Sequence, residues 1–410
     1  MSKKFLGILV TLAVLVLGAE IVYVSKQNQK PQVELEETRP ILVWYTDPDI
    51  QTYMEETAAQ AAAAYGVEIQ TELVSDVDYI ENISEKSIAE TMSGPDLYIT
   101  SSSLLEKAAL AGLTTTLDGS RFADSYGEKA LHAVTYGGKV IARPFYIETS
   151  FLVYHKNVTD QIPETIDDIL TYAENFEMDD TTADVETIFE WNVADVLENF
   201  MFMGAYTNLG GDDGDDKSQV SLDLDKIGEC MAYYQNLNSF FAIDADTISS
   251  QDIMQKFVDG KTVYAVVNVP MLAQIDKAVD SDFYGVAALP DLTTDLQARG
   301  LSVTNSIVVN PYSVNVSAAE AIASYMTENA AGSLYETAGK LPAYRKLSED
   351  PTPAWQTVCE AYDEAQETPK IMELSDMWLN LEVTLADIWR GEDASGKMQA
   401  FSELLSTRLD

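Results

Sequence analysis

From residue 41 onward, apolar and polar residues fall into blocks that predict alternating strands and helices. Ile41–Tyr45 is a short apolar run, the pattern of a buried strand. Asp47-Pro48-Asp49 is turn chemistry, and the Ala-rich stretch Ile50–Tyr65 predicts a helix that Gly66 caps. Val67–Val74 alternates as a strand, Ile80–Met92 predicts a helix stopped by Ser93-Gly94-Pro95, and Asp96–Thr100 is a third strand. Strand–helix–strand–helix–strand implies parallel pairing with right-handed crossovers. In open α/β sheets, ligands bind beyond the carboxyl ends of the strands. That places Trp44–Asp47 and Thr100–Ser102 on one rim.

The stretch Tyr136–Asn157 (YGGKVIARPFYIETSFLVYHKN) breaks this rhythm. Gly137-Gly138 supplies the positive φ of a tight hairpin. Pro144 has no N–H to give a ladder, and Ser150–Tyr154 reads as a fresh strand. Between them Glu148 is a lone carboxylate in an apolar and aromatic run. Two strand runs joined by a short crossing suggest a chain passing from one lobe to another, with an acid at the crossing.

Helices follow at Pro163–Phe176, opened by Thr165, and at Val193–Leu209, Leu222–Phe240 and Ser250–Val258. Thr262–Val267 is a buried strand ended by Asn268-Val269-Pro270, and Tyr284–Pro290 and Val303–Asn310 are further strands. Ala318–Glu328, Leu334–Thr337, Ala354–Ala365, Ser375–Trp389 and Gly396–Leu409 are helices.

At 410 residues the chain exceeds one typical domain and suits two, and 46% apolar residues supply a core for each. The net charge of −42 argues against nucleic-acid binding, which needs clustered Lys and Arg. It fits a soluble surface outside the cell and neutral ligands, and it would also attract cations. Cys230 and Cys359 form no CxxC, and the sequence leaves open whether they pair. Lys3 and Lys4 followed by apolar Phe5–Ala19 fit a signal peptide, while Phe5–Val24 taken whole is long enough to span a bilayer. Both readings stand for residues 1–25. No convincing small-x-small site follows Ala19, which tilts the choice to an anchor. Residues 26–39 read as a polar linker.

The central stretch resembles the solute-binding proteins of ABC importers, in the carbohydrate-binding group that includes the maltodextrin-binding protein. There a "Y-x-G-K-x-x-A-x-P" hairpin leads into a hinge strand, then an acid, then "Y-N-K"; here the acid is Glu148 and the later residues are Tyr154, His155 and Lys156. "P-E-T-I-D-D-I-L", "F-V-D-G-K-T-V-Y-A-V-V-N-V-P", Tyr284–Pro290, Val303–Asn310, Lys340-Leu341-Pro342-Ala343 and Ser375–Trp378 resemble further family segments in order. The resemblance covers about Ile41 to Asp410. It implies a two-lobed periplasmic-binding-protein-like α/β fold, each lobe a mainly parallel sheet flanked by helices. The expected lobes are 40–147 with 304–350, and 148–303 with 351–410. Hinges are expected near Phe145–Thr149, Ser302–Asn305 and residue 350. The implied function is capture of a sugar or oligosaccharide for an ABC permease by an extracytoplasmic monomer, with neither cofactor nor enzyme activity.

Carboxylates bind sugar hydroxyls and aromatic rings stack on their C–H faces. Tyr45 and Asp47 follow the first strand, Asp47 as a ligand contact or as a turn cap. Thr100 stands where maltodextrin binders carry a stacking Trp, so Thr100 and Ser101 would offer small hydroxyls. Glu148 is the foremost acid, with a hinge salt bridge as its alternative. Trp191, beside Glu190, is a ligand aromatic or a core residue. Met271 could pack on a sugar face. Trp378 is the expected stacking platform, with Glu382 one turn on. Asp212–Asp216 fails calcium-loop spacing, and His132 and His155 lack a ligand cluster. Two rivals remain: the same fold binding a polyamine or basic peptide, and an anchored ligand sensor.

Overall fold

The computed structural model describes residues 33, 35–89, 93–180 and 182–409. The leader or anchor at 1–25, most of the linker and the expected helix end at Met92 lie outside them. The linker's last residues are fastened down: Glu36 and Glu37 donate backbone N–H groups to Asn315 Oδ1 at 2.9 and 3.1 Å.

Strand Ile41–Tyr45 lies second from the edge of the sheet, parallel to the edge strand Ile69–Leu73 on one side and to Leu97–Ser101 on the other. Helix Gln51–Tyr65 connects them and ends as expected: Gly66 adopts φ +74° and its N–H reaches Ala62 O at 2.9 Å. The Gly137-Gly138 hairpin also forms, with Tyr136 opposite Lys139 and both glycines at positive φ.

The crossing differs from the two strands expected. Arg143–His155 is one continuous 13-residue strand with Pro144 inside it. The missing N–H is accommodated at an irregularity, where Asn305 pairs with Tyr146 but Ser306 pairs with Pro144. Phe145, skipped by that register, instead accepts from Ala343 N at 2.9 Å.

The long strand belongs to both halves. Its first part pairs antiparallel with Leu301–Val309 and Leu341–Pro342, its second with Thr262–Asn268 and Tyr284–Ala287. Thr262–Asn268 also pairs parallel with Thr187–Glu190, further from the crossing. Leu301–Val309 makes a second passage, and Gln366–Glu367, paired with Leu301 and Ser302, a third.

Three buried clusters fill the fold. Trp44, Tyr98, Ile83 and Leu105 cover one face of the first sheet. Ile41, Val43, Tyr53 and Phe145 belong to a core that continues past the crossing to Phe257, Val267 and Met271. Trp191, Phe200, Tyr234 and Trp389 anchor the second half. The long helix expected over Val193–Leu209 is instead a short helix, Val196–Asn199, followed by tight turns. Gly204 explains the break: a Cβ there would meet Arg299 O at 2.0 Å, so the chain passes too close for a regular helix. Cys230 and Cys359 are unpaired in different clusters, and burial pushes both thiols up to about 12.

Candidate functional site

The first rim and the crossing strand meet at one lysine. Asp47 caps the turn after the first strand, its Oδ1 accepting from Asp49 N at 2.9 Å. Its Oδ2 accepts from Tyr146 Oη at 3.0 Å and lies 3.1 Å from Lys340 Nζ. Glu148 Oε1 lies 3.0 Å from the same ammonium, and Asp49 Oδ2 3.7 Å. Both readings of Asp47, cap and site member, therefore describe the same side chain. Glu148 makes the hinge salt bridge named as its alternative, yet Oε2 has no partner among the described residues. Burial lowers the Lys340 ammonium, but Glu148 and Asp47 outweigh it and hold it above its ordinary range. Burial, with Asp47 and Glu148 next, raises the Tyr146 phenol well above its usual value. Tyr146 and Lys340 were missed in the sequence because nothing local separates a site lysine from a surface one.

The remaining sequence candidates divide. Thr100 is buried, and its Oγ1 has no partner. Ser101 Oγ lies 2.7 Å from Ser103 Oγ. Tyr45 is only 2% exposed and packs in the core, because Trp44 is buried on the opposite face with Nε1 donating to Glu72 Oε2. Trp191 is fully buried: its Nε1 donates to Asn199 Oδ1 at 3.0 Å, and Phe189, Phe202 and Trp389 enclose its ring. No face is left for a ligand, so Trp191 is a core residue. Met271 is likewise buried, in the first turn of helix Val269–Ala278 that Asn268 caps.

Trp378 is half-buried and meets Phe200 edge-on, ring centroids 6.1 Å apart. Glu382 is exposed on the next turn, beside exposed Leu379 and Val383. Two residues before Phe200, Glu198 is fully buried; Oε2 accepts from Asn192 N at 2.7 Å while Oε1 has no partner. Burial first, then Asp195, raises its carboxyl well above the ordinary value. Its helix packs on both crossing strands and on helix Met377–Trp389. An acid inside the apolar run VLENFMFM was the available signal. Ser150 Oγ, just past Glu148, is also buried without a partner. Carboxylates, a phenol and an ammonium gathered about Lys340 suit a ligand with many hydroxyls.

A different set of contacts joins the halves on the other side of the crossing. Ser302 Oγ and Thr304 N bond Glu367, and Val303 between them points the opposite way, towards the face of its partner Glu148. On the Glu367 side lies a cavity of about 910 Å³, lined by Lys129, His132, Asp213, Arg299 and Gln366 among others. Here the Asp212–Asp216 loop bridges the halves. His132 Nδ1 is 2.6 Å from Asp213 Oδ1, and Asp215 Oδ2 accepts from Gly137 N at 2.8 Å. Lys370 Nζ donates to His132 O at 3.0 Å. The described residues contain no cluster able to hold a metal. His155 packs its ring 4.0 Å from that of Phe283, a structural place.

Two lobes joined by three strand passages, with polar groups gathered at the crossing, define a hinged binding protein. The chain belongs to the bacterial extracellular solute-binding protein family, whose model matches residues 56–360. It is similar to the maltodextrin-binding protein MdxE of Bacillus subtilis, at 25% identity over 66% of this chain and 67% of that one. It is also similar to the maltooligosaccharide ABC transporter solute-binding lipoprotein of Streptococcus pneumoniae R6, at 23% identity over 96% and 94%. In fold it resembles a cyclo/maltodextrin-binding protein complexed with maltotetraose (TM-score 0.75, 18% identity, 92% of this chain and 99% of that one). The Staphylococcus aureus extracellular solute-binding protein in complex with maltose is similar too, with TM-score 0.76 and 15% identity over 91% and 98%.

Proposed function

We propose that this protein is the extracytoplasmic substrate-binding component of an ABC importer and captures a malto-oligosaccharide or related sugar between its lobes. The observation that carries this reading is the gathering of Asp47, Tyr146 and Glu148 about Lys340 on one side of the crossing, with Ser150 Oγ, two residues beyond Glu148, buried and without a partner. A buried polar atom without a partner costs free energy, and a ligand hydroxyl would satisfy it. Relatives named for maltodextrin, maltotriose and maltooligosaccharides support the same class. We take the lobes as 40–147 with 304–365 and 148–303 with 366–410, moving the hinge expected near residue 350 to the third passage at Gln366–Glu367, since Trp355 and Tyr362 pack with the first half. A ligand contacting both shifts the population towards a closed form that the permease receives. Residues 1–25 hold the monomeric protein at the outer membrane face as an anchor, or leave as a signal.

The test is a thermal-shift screen against mono- and oligosaccharides. A ligand at 100 times its Kd stabilises the fold by about 2.7 kcal/mol, a visible shift. Stabilisation by α-glucans supports the reading; stabilisation by no sugar refutes it.

A further inference from the structure

We infer that Lys340 is the specificity-determining residue of the cleft: it fills with a resident ammonium the place between Asp47, Asp49 and Glu148 that a cationic ligand would take, and so commits the site to neutral, polyhydroxy ligands. This rests on the proposed reading that the ligand binds where these acids converge.

Three carboxylates in a chain of net charge −42 would ordinarily make a cation site. Lys340 changes that. Its side chain is 7% exposed, beneath Asp47 and Glu148 at 23% each and Asp49 at 65%. The acids thus reach the cleft while the ammonium supports them from below. The position is fixed by backbone: Gly339 turns at φ +67°, and Leu341 and Pro342 pair with Ile147 and Tyr146 of the crossing strand. The Tyr146 ring closes a further side, its centroid 5.5 Å from Nζ. A second cation entering here would meet like charge at short range. A hydroxyl would not, and could donate to the free oxygen of Glu148.

The experiment is calorimetric titration of wild type, Lys340→Met and Lys340→Arg with maltotriose and with spermidine, at one ionic strength. Wild type and Lys340→Arg should bind maltotriose and ignore spermidine. Lys340→Met should bind spermidine and lose at least tenfold in maltotriose affinity. A Lys340→Met protein that folds, ignores spermidine and keeps wild-type sugar affinity overturns the inference. Wild type that binds no sugar overturns the proposed function instead, and the spermidine arm still decides the role of Lys340. Should three uncompensated acids prevent folding, Lys340→Gln combined with Asp49→Asn leaves Asp47 and Glu148 facing the same place. Spermidine binding by that variant upholds the inference, and its absence overturns it.

Discussion

His132 and Asp213 lie 2.6 Å apart, Nδ1 to Oδ1, and join the two halves on the side of the crossing away from Glu148. Lobes pivoting about shared strands cannot close on one side without parting on the other. The contact therefore holds the cleft open. A hydrogen bond of this kind contributes about 0.5–1.5 kcal/mol, so Asp213→Ala should tighten sugar binding by up to about tenfold. Titration of the variant beside wild type checks this; weaker binding by a folded variant would contradict it.

Trp378→Ala should lower sugar affinity by about tenfold or more, since an aromatic platform contributes buried area as well as stacking. The half-buried ring sits at the margin of the second core, so melting should shift only modestly. Glu148→Gln should also weaken binding without unfolding the protein. Unchanged affinity in both variants would remove these residues from the site.

Glu198 predicts a pH effect. Its folded carboxyl titrates well above the ordinary 4.5, so the folded state holds its proton where the unfolded chain has released it. Stability from this group is present below about pH 4.5 and is lost as pH rises towards the folded value. Glu198→Gln removes that dependence. The melting temperature of the variant relative to wild type should therefore rise between pH 4.5 and 7.5; a constant difference would show that Glu198 titrates normally.

Asp96 is fully buried and receives Arg39 at 2.7 and 2.6 Å as well as Leu42 N at 2.8 Å. Asp96→Ala leaves Leu42 N and Ser313 Oγ without their acceptor, while the partly exposed Arg39 guanidinium turns to water, and should cost about 1–3 kcal/mol in denaturant unfolding. A loss below about 1 kcal/mol would mean that water reaches these donors in place of the carboxylate.

What the sequence disclosed followed local chemistry. Gly66, Gly137-Gly138 and Thr165 set a helix end, a hairpin and a helix start that all formed, because each acts through its own backbone. Glu148 was legible as an acid isolated in an apolar run. Tyr45 and Trp191 were misplaced because facing direction depends on what packs across the sheet, which periodicity does not encode. Lys340 lies 192 residues from Glu148, and Glu198 was masked by an expected helix that Gly204 interrupts. The continuous crossing strand was hidden by Pro144, whose missing donor a shifted partner strand absorbs.

Capture by closure is tested most directly by small-angle X-ray scattering of the purified protein with and without saturating maltotriose. The account predicts a smaller radius of gyration with sugar, and a larger share of the compact form in Asp213→Ala before sugar is added. Sugar binding, measured in the same samples, with no change in radius would contradict closure about the crossing strands.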